Sequence, residues 1–364
     1  MTTTTTAPVA PPRATPVFHE LVVADVERLT DDSVAVTFDV PAALADAYAF
    51  RAGQSLTIRR VVDGVEQRRS YSICAPAGAR PRVGVRTIPE GTFSRWFVED
   101  VRVGDRVEVG TPTGTFSADE TMGGRHLCIA AGSGITPMIS VAGTVLRHPD
   151  ARVTLLYGNR TTGSVMFAEA LGDLKNRYGP RLQLVHVLSR EPRDVELFSG
   201  RLDADRIRRL VDLLAPVETL DQVWLCGPFA MINDARDVLR ELGFPADRIH
   251  FELFYVDEPP PELHREDPAI EGETSEVTVV LDGLSATAPM PRNQSILDAA
   301  QAARSDLPFA CKGGVCGTCR ARVTEGEVDM RRNYALEAAE VDAGFVLTCQ
   351  SHPVSDEVTI DFDA

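Results

Sequence analysis

The sequence predicts a multidomain α+β and α/β chain. An antiparallel β-barrel comes first, then a parallel-sheet α/β domain, then a small C-terminal domain built around a cysteine loop. Three observations carry this reading. Residues 17–119 hold short strand-like runs punctuated by Gly and Pro at intervals of about 8–12 residues, the rhythm of an antiparallel barrel or sandwich. Residues 120–256 alternate unbroken apolar runs with helical stretches, which indicates a parallel sheet buried on both faces. Residues 275–364 contain four of the seven cysteines, three of them within nine residues.

Residues 1–16, MTTTTTAPVAPPRATP, offer nothing to pack and are expected to be a disordered tail. In the barrel the strand runs are FHELVVADVERL, SVAVTFDV, QSLTIRRVV, RRSYSICAP, RVGVRTI and DRVEVG, with one short helix expected at SRWFVED. In the α/β part, HLCIAAG, RVTLLYG, LQLVHVLS and QVWLCG are the strands. MISVAGTVLRH, MFAEALGDLKNRY, ADRIRRLVDLL and AMINDARDVLREL are the helices. Residues 257–274, with a triple proline and seven acids, form an extended, semi-stiff linker. After it come a hairpin-like pair (EVTVVLDG, LSATAPM), a helix at SILDAAQAAR, the cysteine loop and further short strands.

Composition excludes several function classes. The chain has 364 residues, 37 basic against 53 acidic side chains, and a net charge of −16. A phosphate-backbone binder needs a basic face, so nucleic acid is not an expected partner. No apolar run approaches the roughly 20 residues of a membrane span, and the N-terminus has no signal-peptide layout. A soluble, cytoplasmic protein is expected. An odd cysteine count in such a chain argues for metal or catalytic use rather than disulfides. Thirteen of the sixteen net negative charges fall in residues 257–364.

Cys311, Cys316, Cys319 and Cys349 are spaced C-x4-C-x2-C-x29-C, the plant-type ligand set of a [2Fe–2S] cluster. Gly313, Gly314 and Gly317 let backbone N–H groups approach the sulfurs of an anionic cluster. Structural zinc usually shows two C-x2-C pairs, and here the fourth cysteine stands alone. Cys74 and Cys128 sit in apolar runs, as buried small hydrophobes do.

Arg69-Ser70-Tyr71-Ser72 closes a β-run. A flat, redox-active flavin needs an aromatic face, a hydrogen-bond partner at its reactive nitrogen and a cation for its diphosphate. Tyr71, Ser72 and Arg69 could supply these along one strand. Gly91-Thr92-Phe93-Ser94 opens the short helix, where amides and a hydroxyl make an anion site. Pro112-Thr113-Gly114-Thr115-Phe116 closes the segment.

Gly132-Ser133-Gly134-Ile135-Thr136-Pro137 follows a strand and precedes a helix, so its backbone can approach a pyrophosphate. Cys226-Gly227-Pro228 follows the fourth parallel strand, on the edge where open α/β sheets bind ligands, and its thiol could pack near a nicotinamide. Ser189-Arg190 ends the third strand with a hydroxyl and a fixed cation suited to the 2′-phosphate of NADPH. Glu191 follows directly and pulls the other way, toward the ribose diol of NADH.

Taken in order, R-S-Y-S, G-T-F-S, G-S-G-I-T-P, C-G-P-F-A-M and C-x4-C-x2-C…C resemble the ferredoxin-reductase superfamily with a fused C-terminal plant-type ferredoxin. These are reductase components of multicomponent oxygenases. The resemblance implies a β-grasp ferredoxin domain and electron flow from NADPH through FAD and [2Fe–2S] to an oxygenase subunit. It implies Arg69, Tyr71 and Ser72 for FAD, Gly91 and Ser94 for its diphosphate, and Gly132, Thr136, Ser189, Arg190 and Cys226 for the nicotinamide nucleotide. Ser72 and Cys226 would stand at the reacting centre. The segments CKGGVCGTCRARVTEGEVDM, RNYALEAAEV and GFVLTCQSHP are most similar to the phenylacetyl-CoA epoxidase reductases, and next to the reductases of steroid-ring hydroxylases. A stand-alone NAD(P)H diaphorase is the remaining alternative. Many relatives end in an aromatic residue over the flavin; here Phe251-Glu252-Leu253-Phe254-Tyr255 runs into the linker.

The segregated charge generates a prediction. Electron delivery to an oxygenase should fall as salt rises, because a weak contact between an acidic and a basic face is screened. NADPH-driven reduction of a small artificial acceptor should change less. A salt-independent rate with the oxygenase would make the acidity an ordinary solvated surface.

Overall fold

The computed structural model describes residues 16–62, 65–88, 91–254, 273–301, 303–304, 307–309, 312–336 and 338–364. All but the last residue of the expected tail, nearly all of the expected linker, Tyr255 and Cys311 lie outside the described residues. The chain divides into two compact bodies, residues 16–257 and 258–364.

The first body opens with six antiparallel strands: β1 (Phe18–Thr30), β2 (Ser33–Asp39), β3 (Ser55–Val62), β4 (Val65–Ser72), β5 (Arg82–Arg86) and β6 (Arg106–Gly110). Their order is β4-β3-β6-β1-β2-β5. A bridge between Ile73 and Val83, just beyond β4, joins the two edges and curls the sheet into a barrel. Alternate residues such as Leu21, Val36, Leu56, Ile58 and Val85 fill the interior. Helix α1 (Thr92–Glu99) plugs it with Phe93 and Phe97, both buried.

A parallel sheet follows: β7 (Arg125–Ala131), β8 (Arg152–Asn159), β9 (Leu182–Leu188), β10 (Gln222–Gly227) and β11 (Ile249–Leu253), in the order β11-β10-β7-β8-β9. Helices α2 (Ile135–Val145), α3 (Ala168–Tyr178), α4 (Ala204–Leu214) and α5 (Phe229–Glu241) make the crossovers. The order reverses between β7 and β10, so the crevice for a ligand opens at the carboxyl ends of these strands. Strand β11 was not expected. IHFEL is short and places His and Glu between apolar residues, so it lacks the unbroken apolar run that marks the other four.

Barrel and parallel sheet share one continuous core, in which Phe116 packs edge-on against Trp224 at 5.3 Å. Buried hydroxyls on α2 bond across the junction. Ser140 Oγ donates to Ala75 O (2.5 Å), and Thr144 Oγ1 accepts from Ala77 N (2.9 Å). Each such bond is worth about 1 kcal/mol net, and more if a buried partner is left bare. Gly84 on β5 admits the Thr136 methyl, which a Cβ there would meet at 2.6 Å. Cys74 and Cys128 are buried as expected, and burial pushes both thiols up to about 12. Among the described residues, no helix is long and apolar enough to cross a membrane.

The second body is a mixed sheet with a short hairpin-like pair beside it. Its strands are β12 (Thr274–Leu281), β13 (Leu284–Pro291), β14 (Arg320–Glu325), β15 (Val328–Met330), β16 (Phe345–Leu347), β17 (Ser351–Pro353) and β18 (Glu357–Asp361). The main order is β13-β12-β18-β14-β16, and β15 pairs with β17. Helix α6 (Ile296–Ala300), capped by Ser295, covers the sheet with Ile296, Leu297 and Ala300; helix α7 (Ala338–Asp342) lies beyond it in sequence.

The tightest point of the first body is Gly134. A Cβ there would sit 2.1 Å from Cys226 O. Gly134→Ala should therefore cost about 1–3 kcal/mol, the usual range for overpacking, in denaturant unfolding. Gly163→Ala, where a Cβ meets nothing within 4 Å, should stay within about 0.5 kcal/mol.

Candidate functional site

The site assembles where strand ends from both sheets meet. On β4, Tyr71 stands half-exposed on an aromatic shelf, edge-on to Phe97 at 5.3 Å and tilted to Phe93 at 6.3 Å. Burial raises its phenol pKa, and Arg69 partly offsets this. Arg69 is exposed, with its guanidinium 5.9 Å from the Phe93 ring. Ser72, one step along, is buried. Strand alternation thus puts Arg69 and Tyr71 on one face and sends Ser72 inward.

Gly91 caps α1 with no side-chain partner for the first-turn amides. A Cβ at Gly91 would meet Ile88 Cγ1 at 2.4 Å, so the turn needs glycine. The expected anion-binding hydroxyl, Ser94, is used inside the turn: it accepts from Ile88 N (3.2 Å) and donates to Gly91 O (3.2 Å). It fixes the helix start, and the first-turn amides are left without a side-chain cap.

On the parallel sheet, Gly132 takes φ +55° and its carbonyl accepts from the buried Tyr157 hydroxyl at 3.0 Å. Thr136 is buried, and its hydroxyl donates to Ser133 O at 3.0 Å. Cys226 ends β10 beside Ala130 on one flank and Glu252 on the other. Gly227 is confined too, since a Cβ would meet Met231 Cε at 2.6 Å and Ala131 N at 3.1 Å. The two glycine turns pack directly on each other and present bare backbone to the crevice, a surface fitted to a dinucleotide.

Sequence reasoning missed Glu252. It lies on β11, and Ser72 Oγ donates to its Oε2 at 2.6 Å. Burial raises this carboxyl to about 7, with the Ser72 bond acting against the shift. Cys226 is pushed well above the ordinary thiol range by burial first and by Glu252 second. Ser72, Cys226 and Glu252 therefore form one cluster at the seam of barrel and parallel sheet. The available signal was a lone acid between apolar neighbours in IHFEL. Nearby, Phe251 lies under Arg236 at 4.2 Å, and Phe254 packs against the parallel-sheet core.

At the tip of β9, Arg190 is exposed and its backbone N donates to Arg160 O at 2.8 Å. Ser189 N donates to Asn159 O. Glu191 is held by Thr162 through both its backbone N and its hydroxyl, each at 2.7 Å, and these bonds lower its pKa. The acid that competed with Arg190 in the sequence is thus occupied by a partner 29 residues away.

In the second body, Thr348 ties two of the expected ligands together. Its backbone N and its hydroxyl both donate to Cys319 O, at 3.1 and 3.0 Å, and Cys349 follows it. The Cys319 thiol is raised by its bond with Cys349, by burial, and by the charges of Cys349 and Cys316. Cys319 interacts with both Cys349 and Cys316, and Gly314 at φ +78° and Gly317 at φ +64° let the loop turn beside them, as a cluster-binding loop requires. Lys312 clamps this loop to α6 through Asp298 (2.6 Å) and Gln301 (2.8 Å).

Barrel, parallel sheet and cysteine domain together define an FAD- and [2Fe–2S]-dependent NAD(P)H oxidoreductase. Three family models match in this order: an oxidoreductase FAD-binding domain over residues 20–118, an oxidoreductase NAD-binding domain over 128–237 and a 2Fe-2S iron-sulfur cluster binding domain over 279–354. The chain is 44% identical to a component of the 1,2-phenylacetyl-CoA epoxidase of Escherichia coli (strain K12), over 95% of this chain and 98% of that one. It is 34% identical to the ferredoxin reductase component of 3-ketosteroid-9-alpha-monooxygenase of Rhodococcus rhodochrous, over 94% and 96%. Phthalate dioxygenase reductase superposes with a TM-score of 0.61 at 25% identity, covering 94% of this chain and 98% of that one. The chain belongs to the ferredoxin reductases with a fused C-terminal [2Fe–2S] ferredoxin, which serve as reductase components of multicomponent oxygenases.

The Glu252 carboxyl sets a pH dependence. Its folded pKa lies above the unfolded value, so the native state binds the extra proton between about pH 4.5 and 7, and stability falls as pH rises through that window. At 1.36 kcal/mol per pKa unit, the loss is about 3 kcal/mol. Glu252→Gln should remove it: urea unfolding at pH 5 and pH 8 should differ less in the variant than in the parent. An equal pH slope in both would show that another group sets it.

Proposed function

We propose that this chain is the reductase of a phenylacetyl-CoA-epoxidising oxygenase, passing electrons from NADPH through FAD and [2Fe–2S] to the oxygenase component. We place it in the cytoplasm, with neither nucleic acid nor a membrane among its partners. The observation that carries the redox reading is the seam where Ser72, Cys226 and Glu252 meet between the two cofactor-binding sheets. The substrate reading rests on the 44% identity to the E. coli epoxidase component over nearly the whole chain. The 34% identity to steroid monooxygenase reductases supports the second reading, a steroid-ring hydroxylase partner.

FAD, when bound, accepts two electrons together and releases them singly, as a one-electron iron–sulfur centre requires. The chain's own residues bind and orient. Tyr71 offers a ring face, Arg69 a cation and the α1 amides around Gly91 a diphosphate site, with Ser94 bracing the turn. Gly132 and Thr136 shape the nucleotide turn, and the buried Cys226 excludes water where the nicotinamide would lie. Glu252 Oε2 can hold a proton near neutral pH, and Ser72 Oγ bonds to it. Cys311, Cys316, Cys319 and Cys349 would hold the cluster. We take the working units to be residues 17–119, 120–256 and 275–364, with 257–274 as the linker between the second and third.

NADPH is favoured over NADH because Glu191 is occupied by Thr162 while Arg190 stands exposed beside Ser189. Charge-assisted hydrogen bonds are worth about 1.5–3 kcal/mol, roughly 10–100-fold in affinity. Arg190→Ala should raise KM for NADPH by that order and leave KM for NADH nearly unchanged; equal effects would refute its role. NADPH-driven turnover with purified oxygenase complexes tests the partner. Support of phenylacetyl-CoA epoxidation is expected, whereas activity only with a steroid-ring oxygenase would favour the second reading.

A further inference from the structure

The segment Arg331-Arg332-Asn333-Tyr334 lies directly against the cysteine loop. Arg331 N donates to Gln350 O (2.9 Å), the residue after Cys349, and Tyr334 N donates to Gly314 O (3.1 Å). A Cβ at Gly314 would stand 3.4 Å from Arg332 O and 3.6 Å from Arg332 Cβ. The segment is braced from within, because Asn333 Oδ1 accepts from Ala335 N (3.2 Å) and Leu336 N (2.8 Å).

The backbone of Arg331 and Arg332 is thus held against the cysteine loop. Arg331 Nε and Arg332 Nη2 are buried from solvent, and neither has a hydrogen-bond partner among the described residues. Burial disfavours the charge on Arg331, and the nearby Asp329 only partly offsets this. A bare, buried guanidinium nitrogen is costly, and adjacent like charges repel as well. In the same domain, Arg292 is answered by Glu273 and Asp356. Four thiolates around two irons leave a cluster with net negative charge, which is the missing counter-charge.

We propose that Arg331 and Arg332 are built-in counter-charges for the iron–sulfur centre, holding its reduction potential up and slowing its loss. Reduction adds one electron and one negative charge to the centre; no bond forms or breaks, and the electron comes from the flavin side of the same chain. Fixed positive charge nearby favours the more negative state, so the pair makes the centre a better acceptor within a strongly acidic domain. The proposal rests on the cysteine loop holding a cluster.

The test uses the full-length protein loaded with FAD and cluster. The double variant Arg331→Gln/Arg332→Gln should show a lower cluster potential in a spectroscopically monitored redox titration, and faster iron release to a chelator. Arg331→Lys/Arg332→Lys, which keeps the charge, should return the potential most of the way. Arg322→Gln, an exposed site whose Nε donates to Ala343 O, should shift it little. In apoprotein the Gln pair should unfold at the same temperature as the parent or higher, because only a repulsion has been removed. An unchanged potential in the Gln pair, or a Lys pair as low as the Gln pair, would overturn the proposal. A parent protein that binds no cluster would instead fault the reading of the cysteine loop.

Discussion

Moving a hydride between two bound cofactors requires their reactive edges to touch, so two separately built sheets have to meet at their strand ends. Here two features mark the point of closest approach, a hydrogen bond and an absent side chain. The bond runs from Ser72, at the end of β4, to Glu252 on β11. The absence is the side chain of Gly134, which lets the first nucleotide turn lie on the Cys226 carbonyl. The shared core and the α2 hydroxyls make this seam rigid, since any slippage would strand Ser140 and Thr144 without partners. The barrel, the crossover helices, and the placement of β10 beside β7 with β11 beyond it all serve to bring these ends together.

The cluster domain obeys a different constraint. It needs no hydride geometry, only a shielded centre at a suitable potential that can be carried to an acceptor. Its loop is therefore pinned internally, by Lys312 to α6, by Thr348 to Cys319 and by the braced segment at residues 331–336. The domain is acidic overall, yet basic side chains line the cysteine loop. Acidity suits recognition of a partner at a distance, and local positive charge suits the centre itself.

Much of this was legible in the sequence, for a physical reason. Cysteine ligands and glycine turns are demanded by chemistry at fixed spacing, so they show in one dimension. The barrel and four parallel strands show through period and apolar runs. What did not show depends on contacts between distant residues. Strand β11 has no apolar run, so Glu252 reads in the sequence as a charged residue near a linker. Glu191 weighs against NADPH in the sequence, and in the fold Thr162 holds it. Ser94 suggests an anion contact, but its hydroxyl closes its own turn. The burial of Arg331 Nε and Arg332 Nη2 without hydrogen-bond partners among the described residues is visible only in the fold.

The central claim is that Ser72 and Glu252 act as one unit at the seam. A double-mutant cycle on the rate of flavin reduction by excess NADPH, measured by stopped flow in FAD-loaded Ser72→Ala, Glu252→Gln and the double variant, tests it most directly. The account predicts that each single variant slows reduction and that the double is hardly slower than either, a coupling of about 1 kcal/mol or more. Fully additive effects, or single variants as fast as the parent, would contradict it.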